Sequence, residues 1–104
     1  MALEITDQNI NGVLETNDLV VIDFWAAWCG PCRMLGPIID ELSTENADVV
    51  IGKLDVTTNQ ETAQDYGVTS IPSIIFIKNG KEVERVRGVM PKSVLQNKIN
   101  EFKN

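Results

Sequence analysis

Trp25-Ala26-Ala27-Trp28-Cys29-Gly30-Pro31-Cys32 is the hinge between two patterns. Before it, Leu19 to Trp25 is an apolar run broken only by Asp23, the pattern of a strand buried on both sides in a parallel sheet. After it, Leu35, Ile38, Ile39 and Leu42 recur at i, i+3, i+4 and i+7, the stripe of an amphipathic helix. Pro37 falls inside that stripe and removes a backbone donor, so a kink is expected there. A buried strand running into a helix is the building unit of an α/β sheet, and reactive groups gather at the carboxyl ends of such strands.

Outward from this hinge the chain alternates in the same way. Leu3 to Ile5 reads as a short strand, with Thr6 and Asp7 as caps of a helix whose Ile10, Val13 and Leu14 share a face. Val49 to Val56 is the third strand. Thr58 and Glu61 have capping-box spacing for a helix carrying Ala63 and Tyr66, with Gly67 just past its end. Ser73–Lys78 and Lys81–Arg87 flank Asn79-Gly80, a strong hairpin signal. Val83 and Val86 break the alternation of the second arm, which predicts a bulge or an edge position. Pro91 suits the first position of a closing helix with Leu95, Ile99 and Phe102 inward. The order βαβαβα then ββα predicts a three-layer α/β fold, a mixed five-stranded sheet with helices on both faces. No linker or repeat interrupts it, so residues 1–104 are expected to be one domain.

Composition narrows the function. Fifteen acids against nine bases give a net charge of −6, which argues against nucleic acid as a partner. The longest apolar run is the six residues Phe24 to Cys29, too short for a membrane span. The start, Met-Ala-Leu-Glu-Ile-Thr, has neither the basic flank nor the apolar core of a signal peptide, so a cytoplasmic location is expected. The chain has no histidine, which removes Cys-His and Ser-His pairs and His-ligated metals.

The chain has two cysteines, Cys29 and Cys32, too few for a four-thiolate zinc site within one chain. A bridge between them closes a tiny loop and adds little stability. A structural bridge, an intermolecular metal site and inert core thiols are the alternatives to redox chemistry. A thiol attacks a disulfide only as thiolate, so a reactive Cys29 needs its negative charge stabilised, which a helix N-terminus does. With Cys29 as N-cap, the second and third helical positions are Pro31, which has no N–H, and Cys32. The Cys32 amide is therefore the main backbone donor expected at the Cys29 sulfur, while Pro31 stiffens the turn.

Trp28-Cys29-Gly30-Pro31-Cys32 resembles the active site of the thioredoxin family, and the likeness runs along the whole chain. Asp23-Phe24-Trp25, Pro37, Lys53, Ile71-Pro72, Lys78-Asn79-Gly80 and Gly88 all fall where that family has them. Gly36, Ser70, Ser73 and Val89 depart from its pattern. The resemblance implies the thioredoxin fold and a protein-disulfide reductase that serves as a dithiol electron carrier, cycling between a Cys29/Cys32 dithiol and an internal disulfide. Cys29 is then the nucleophile and Cys32 the resolving thiol, with Gly30 and Pro31 between them. The usual device of the oxidase branch, a histidine between the cysteines, is absent.

Asp23 reads two ways on residues alone: a solvent-facing acid on a half-exposed strand, or a buried carboxyl that exchanges protons with Cys32. The resemblance implies the second, through a water. Lys53 is either a surface lysine or the charge partner of Asp23, and the resemblance favours the latter. Pro72 fits a strand start in the common trans form. The resemblance instead implies a cis bond that brings Ile71 beside the cysteines, and a docking patch of Trp28, Gly30, Pro31, Ile71, Pro72 and Gly88. Trp25 belongs to the buried strand and is expected in the core. The partners implied are disulfide-containing target proteins and a flavin-containing, NADPH-dependent thioredoxin reductase. No nucleotide motif is present, so that cofactor is expected on the partner, and the chain itself is expected to be a monomer that needs no metal or cofactor.

Overall fold

A computed structural model of the chain describes residues 1–103; Asn104, the end of the expected domain, lies outside them. The elements run β1 (Leu3–Glu4), α1 (Ile10–Thr16), β2 (Leu19–Trp25), α2 (Gly30–Glu45), β3 (Val50–Asp55), α3 (Gln60–Asp65), β4 (Ser73–Lys78), β5 (Lys81–Arg87) and α4 (Lys92–Phe102). The sheet order is β1-β3-β2-β4-β5. β3 pairs parallel with both β1 and β2, while β2–β4 and β4–β5 are antiparallel. This is the mixed, three-layer α/β arrangement expected from the element order, and it fits the fold that the resemblance implies.

The centre of the sheet explains why Leu19–Trp25 is apolar throughout but for Asp23. Side chains alternate across a strand, and both faces of β2 are covered. Val20, Ile22 and Phe24 join Ile10 and Ala63, the cluster beneath α1 and α3. Leu19 and Val21 join Leu35, Ile39 and Leu42 of α2 and Leu95 and Ile99 of α4. Glycine at position 52 lets β1 close on β3. A Cβ there would stand 2.7 Å from Ile5 Cγ1 and 2.8 Å from the Leu3 carbonyl oxygen.

The hairpin forms as the sequence indicates. Asn79 and Gly80 both have positive φ, 51° and 81°, as a two-residue turn with the strands' own twist requires. The register slips between Phe76 and Ile77, which pair with Glu84 and Glu82. Val83 is thus the extra residue of a bulge on edge strand β5. α2 continues through Pro37.

Capping departs from expectation at three places. Thr6 does cap the turn into α1: its Oγ1 accepts from the Asn9 N–H at 3.1 Å, and Asn9 Oδ1 accepts from the Thr6 N–H at 2.8 Å. Asp7 instead caps α3, across the chain. Its Oδ1 accepts from the Thr62 N–H at 2.9 Å and the Thr62 hydroxyl at 2.6 Å, while Asn59 Oδ1 accepts from the Asp7 N–H at 2.9 Å. The Thr58–Glu61 box therefore does not form, and Thr58 Oγ1 accepts from the Asn59 side-chain amide instead. An ionised carboxylate is the stronger acceptor at a helix N-terminus, and it displaces the local hydroxyl. Pro91 is the N-cap of α4 rather than its first residue. At the far end of α3 the Gly67 N–H donates to the Gln64 carbonyl and the Val68 N–H to the Ala63 carbonyl, both at 2.9 Å, a Schellman closure.

Candidate active site

β2 ends at Trp25 and the chain turns through Ala26–Trp28 into α2. Cys29 is the N-cap of that helix, with extended φ and ψ of −92° and 112°, and the Cys32 N–H donates to its sulfur at 3.2 Å. This is the donor that elimination of Pro31 indicates. The two cysteines are joined as a disulfide with their Cα atoms 5.2 Å apart. Both are buried, Cys29 at 6% and Cys32 at 3% exposure, so exposure separates them little and surroundings separate them more. The Cys29 sulfur receives the first-turn amide and lies 3.9 Å from the Ile71 carbonyl oxygen. Cys32 instead lines a cavity on the sheet side of α2.

The Ile71–Pro72 bond is cis. The Pro72 carbonyl accepts from the Gly88 N–H at 2.9 Å, and the Ser73 hydroxyl donates to the Ser70 carbonyl at 2.7 Å. Ser73, one of the departures from the family pattern, therefore ties its own loop. Trp28 is 71% exposed and borders a shallow hollow with Val56, Val68, Thr69, Ser70 and Ile71. Ile71 packs against the cysteine pair and shares the hollow with Trp28. Gly30 and Pro31 follow Cys29 in the first turn of α2, and Gly88 is held to the same loop through Pro72.

The cavity beside Cys32 has a volume of about 150 Å³ and is lined by Asp23, Trp25, Cys32, Arg33, Gly36 and Lys53. Trp25 is half-buried and forms part of this wall. Asp23 is 1% exposed, and its Oδ1 has no hydrogen-bond partner among the described residues. The solvent-facing alternative is thereby removed. Burial pushes its carboxyl up to about 7; the Lys53 ammonium opposes this and the Asp40 carboxylate adds to it. The cavity is mainly apolar, with Asp23 and Lys53 among its lining, and is wide enough for water.

Lys53 stands in register with Asp23 across the β2–β3 pair, but its ammonium donates to Asp40 Oδ2 at 3.2 Å. The other Asp40 oxygen accepts from the Ala2 N–H at 3.1 Å. Burial works to raise Asp40, yet the Ala2 N–H and the Lys53 ammonium outweigh it and hold this carboxyl below the usual carboxylate range. Asp40 was not among the residues singled out from sequence. A signal for it exists: Cys32, Gly36 and Asp40 repeat every four residues beside the apolar stripe of α2, which places them on one face.

The arrangement combines a sulfur stabilised at a helix N-terminus, a second sulfur bonded to it, and a desolvated carboxyl that retains a proton close to neutrality. That is equipment for thiol–disulfide exchange. No helix among the described residues is long and apolar enough to cross a membrane.

Comparison with known proteins agrees. The thioredoxin family model matches residues 1–101. Thioredoxin of Bacillus subtilis is 47% identical over 100 residues, covering 94% of each chain. Thioredoxin 2 of Chlorobaculum tepidum is 45% identical, covering 94% of this chain and 92% of its own. Among solved structures, a mutant thioredoxin from Halobacterium salinarum superposes with a TM-score of 0.88 at 34% identity, covering 100% of this chain and 90% of that one. Fasciola hepatica thioredoxin gives 0.87 at 36% identity, covering 98% and 99%.

Proposed function

This chain belongs to the thioredoxin family of thiol–disulfide oxidoreductases, and from that premise we propose that Cys29 is its nucleophile and Cys32 its resolving thiol. The family's substrates are disulfide-containing proteins. The Cys29 thiolate attacks one sulfur of the target disulfide, breaking that bond, forming a mixed disulfide and releasing the first target thiolate. Cys32 then gives its proton to Asp23 and attacks the Cys29 sulfur. The Cys29–Cys32 bond forms, the mixed disulfide breaks, and the second target sulfur leaves and is protonated. The target gains two electrons and two protons, and the cysteine pair is oxidised. An NADPH-dependent, flavin-containing thioredoxin reductase returns the pair to the dithiol.

One observation carries this assignment: the Cys32 N–H donates to the Cys29 sulfur at the head of α2. An amide in that position favours the thiolate of Cys29 over that of Cys32. Lys53 tunes the charge of Asp23, and Gly30 and Pro31 set the turn that keeps the two sulfurs close. Trp28, Ile71, Pro72 and Gly88 form the patch on which an extended target segment docks. Residues 1–104 work as one monomeric domain in the cytoplasm.

Alkylation tests the assignment. In the reduced protein at mildly acidic pH, Cys29 is labelled first. Cys32→Ser accumulates stable mixed disulfides with targets, because nothing remains to resolve them. Preferential labelling of Cys32, or mixed disulfides that accumulate only in Cys29→Ser, reverses the roles.

A further inference from the structure

We propose that Asp40 is a positioning residue for the resolving half-reaction: its carboxylate holds the Lys53 ammonium against α2 and so leaves the Asp23 carboxyl without a direct counter-charge beside Cys32. The inference rests on the reading of Asp23 as proton acceptor for Cys32 and deepens it.

The geometry begins with the row Cys32, Gly36 and Asp40 on α2, one position every helical turn and a little over. Below that row lie Asp23 on β2 and Lys53 on β3, in register and therefore on the same face of the sheet. With nothing else nearby, a lysine in that position would pair with the aspartate beside it. Here the ammonium donates to Asp40 Oδ2 at 3.2 Å, and Asp23 Oδ1 has no hydrogen-bond partner among the described residues. Gly36 leaves the path open. A Cβ at that position would stand 3.5 Å from Lys53 Nζ, so any longer side chain there would press on the ammonium. The Ala2 N–H fixes Asp40 from its other oxygen.

The remaining surroundings of Asp23 do not substitute for Lys53. From β4 the residue in register is Ile74, and α4 brings Leu95 and Ile99 to this face of the sheet. From α2, Cys32 and Arg33 line the cavity, and the Arg33 guanidinium donates outward to the Ala27 carbonyl at 3.0 Å. The Lys53–Asp40 pair is thus the adjustable charge next to Asp23. A proton acceptor is most effective when its proton affinity lies close to the working pH. Pairing Lys53 with Asp40 rather than Asp23 moves the acceptor in that direction.

The test is a pair of measurements on the full chain. The titration midpoint of Asp23 is followed by carbon NMR of the labelled carboxyl, and the rate at which a preformed Cys29 mixed disulfide resolves is followed against pH. Asp40→Asn keeps the shape and the Ala2 contact while freeing Lys53. The Asp23 midpoint then falls by about one pH unit, as for a carboxylate gaining a cation neighbour, and the rise of the resolution rate with pH moves down with it. Measured within a Lys53→Gln background, Asp40→Asn moves the Asp23 midpoint only by the direct loss of the Asp40 charge, well short of the full shift, since the rest runs through the ammonium. An Asp23 midpoint unmoved or raised in a folded Asp40→Asn protein overturns the proposal, as does a shift that persists in full without Lys53. Asp23→Asn separates this from the underlying reading. If it leaves the resolution rate unchanged, Asp23 is not the acceptor and the functional part of the proposal falls too. If it slows resolution while Asp40→Asn moves nothing, Asp40 alone is excluded.

Discussion

The two faces of β2 are equally deep and built for different purposes. Ile22 and Phe24 face α1 and α3 and are 0% exposed; Asp23, between them, faces α2 and is 1% exposed. The first face is apolar throughout, closed by Val20, Leu54 and Ile75 and by the tilted contact of Phe24 with Tyr66, ring centroids 6.1 Å apart. The other is apolar as far as Val21 and then changes: Asp23, Lys53 and Cys32 meet around a cavity under the start of α2. Burial is therefore no guide to role within this strand. The dry face supplies stability that is indifferent to pH, and the face toward α2 gives some of that stability up for a proton-binding group.

Substitutions on the two faces should differ in sign as well as size. Phe24→Ala opens a void in a fully apolar cluster and destabilises by about 3–5 kcal/mol, with little change between pH 5 and pH 8. Asp23→Ala acts the other way. The folded carboxyl is raised to about 7, so between the ordinary carboxylate range and about 7 the native state holds a proton that the unfolded chain has lost. Native stability is then full below about pH 4 and declines until the folded group ionises, a cost of roughly 4 kcal/mol above neutrality. Asp23→Ala recovers up to about that amount at pH 8, and the gain fades as pH falls toward 4. Denaturant unfolding of both variants at three pH values checks the contrast. A pH-independent Asp23→Ala, or a Phe24→Ala loss that depends on pH as strongly, would erase the distinction between the faces.

A smaller effect sharpens it. Asp7 caps α3, on the dry side, and the Thr62 hydroxyl bond, against some burial, holds its carboxyl below the ordinary value. Here the sign reverses: the stability it confers is present above the unfolded carboxylate range and is lost as pH falls through the lowered folded value. Asp7→Ala should lower the melting temperature at pH 7 by less than Phe24→Ala does, and that loss should shrink as pH falls below the ordinary carboxylate range. A decrease of the same size at pH 7 and below that range would mean that packing, not the charged cap, is what Asp7 provides.

Much of this was legible in the sequence because it is local. The apolar run of β2, the stripe of α2, the Asn79-Gly80 turn and the broken alternation around Val83 each depend on neighbours within a few residues. So does the Cys32 amide at Cys29, which follows from Pro31 having no N–H to give. What could not be read locally depends on residues far apart in the chain. Thr6 and Asp7 both have cap chemistry, but only the fold shows that Asp7 serves a helix whose Thr62 lies 55 residues later. Asp40 and Lys53 are thirteen residues apart and on different elements, and Asp23 was ambiguous because a single acid in an apolar strand does not say which face is covered. The cavity itself, a product of three elements, has no sequence signature beyond the row of Cys32, Gly36 and Asp40 on α2.

The central claim is that the face of β2 toward α2 exists to take the Cys32 proton, and the resolving step tests it most directly. A mixed disulfide between Cys29 and a target peptide is prepared, and its resolution by Cys32 is timed from pH 5 to pH 9 in the parent chain and in Asp23→Ala. The account predicts a parent profile with a rise centred near the Asp23 midpoint of about 7, and a variant that is slower at neutral pH and lacks that rise. Identical rates and profiles in the two proteins would contradict it.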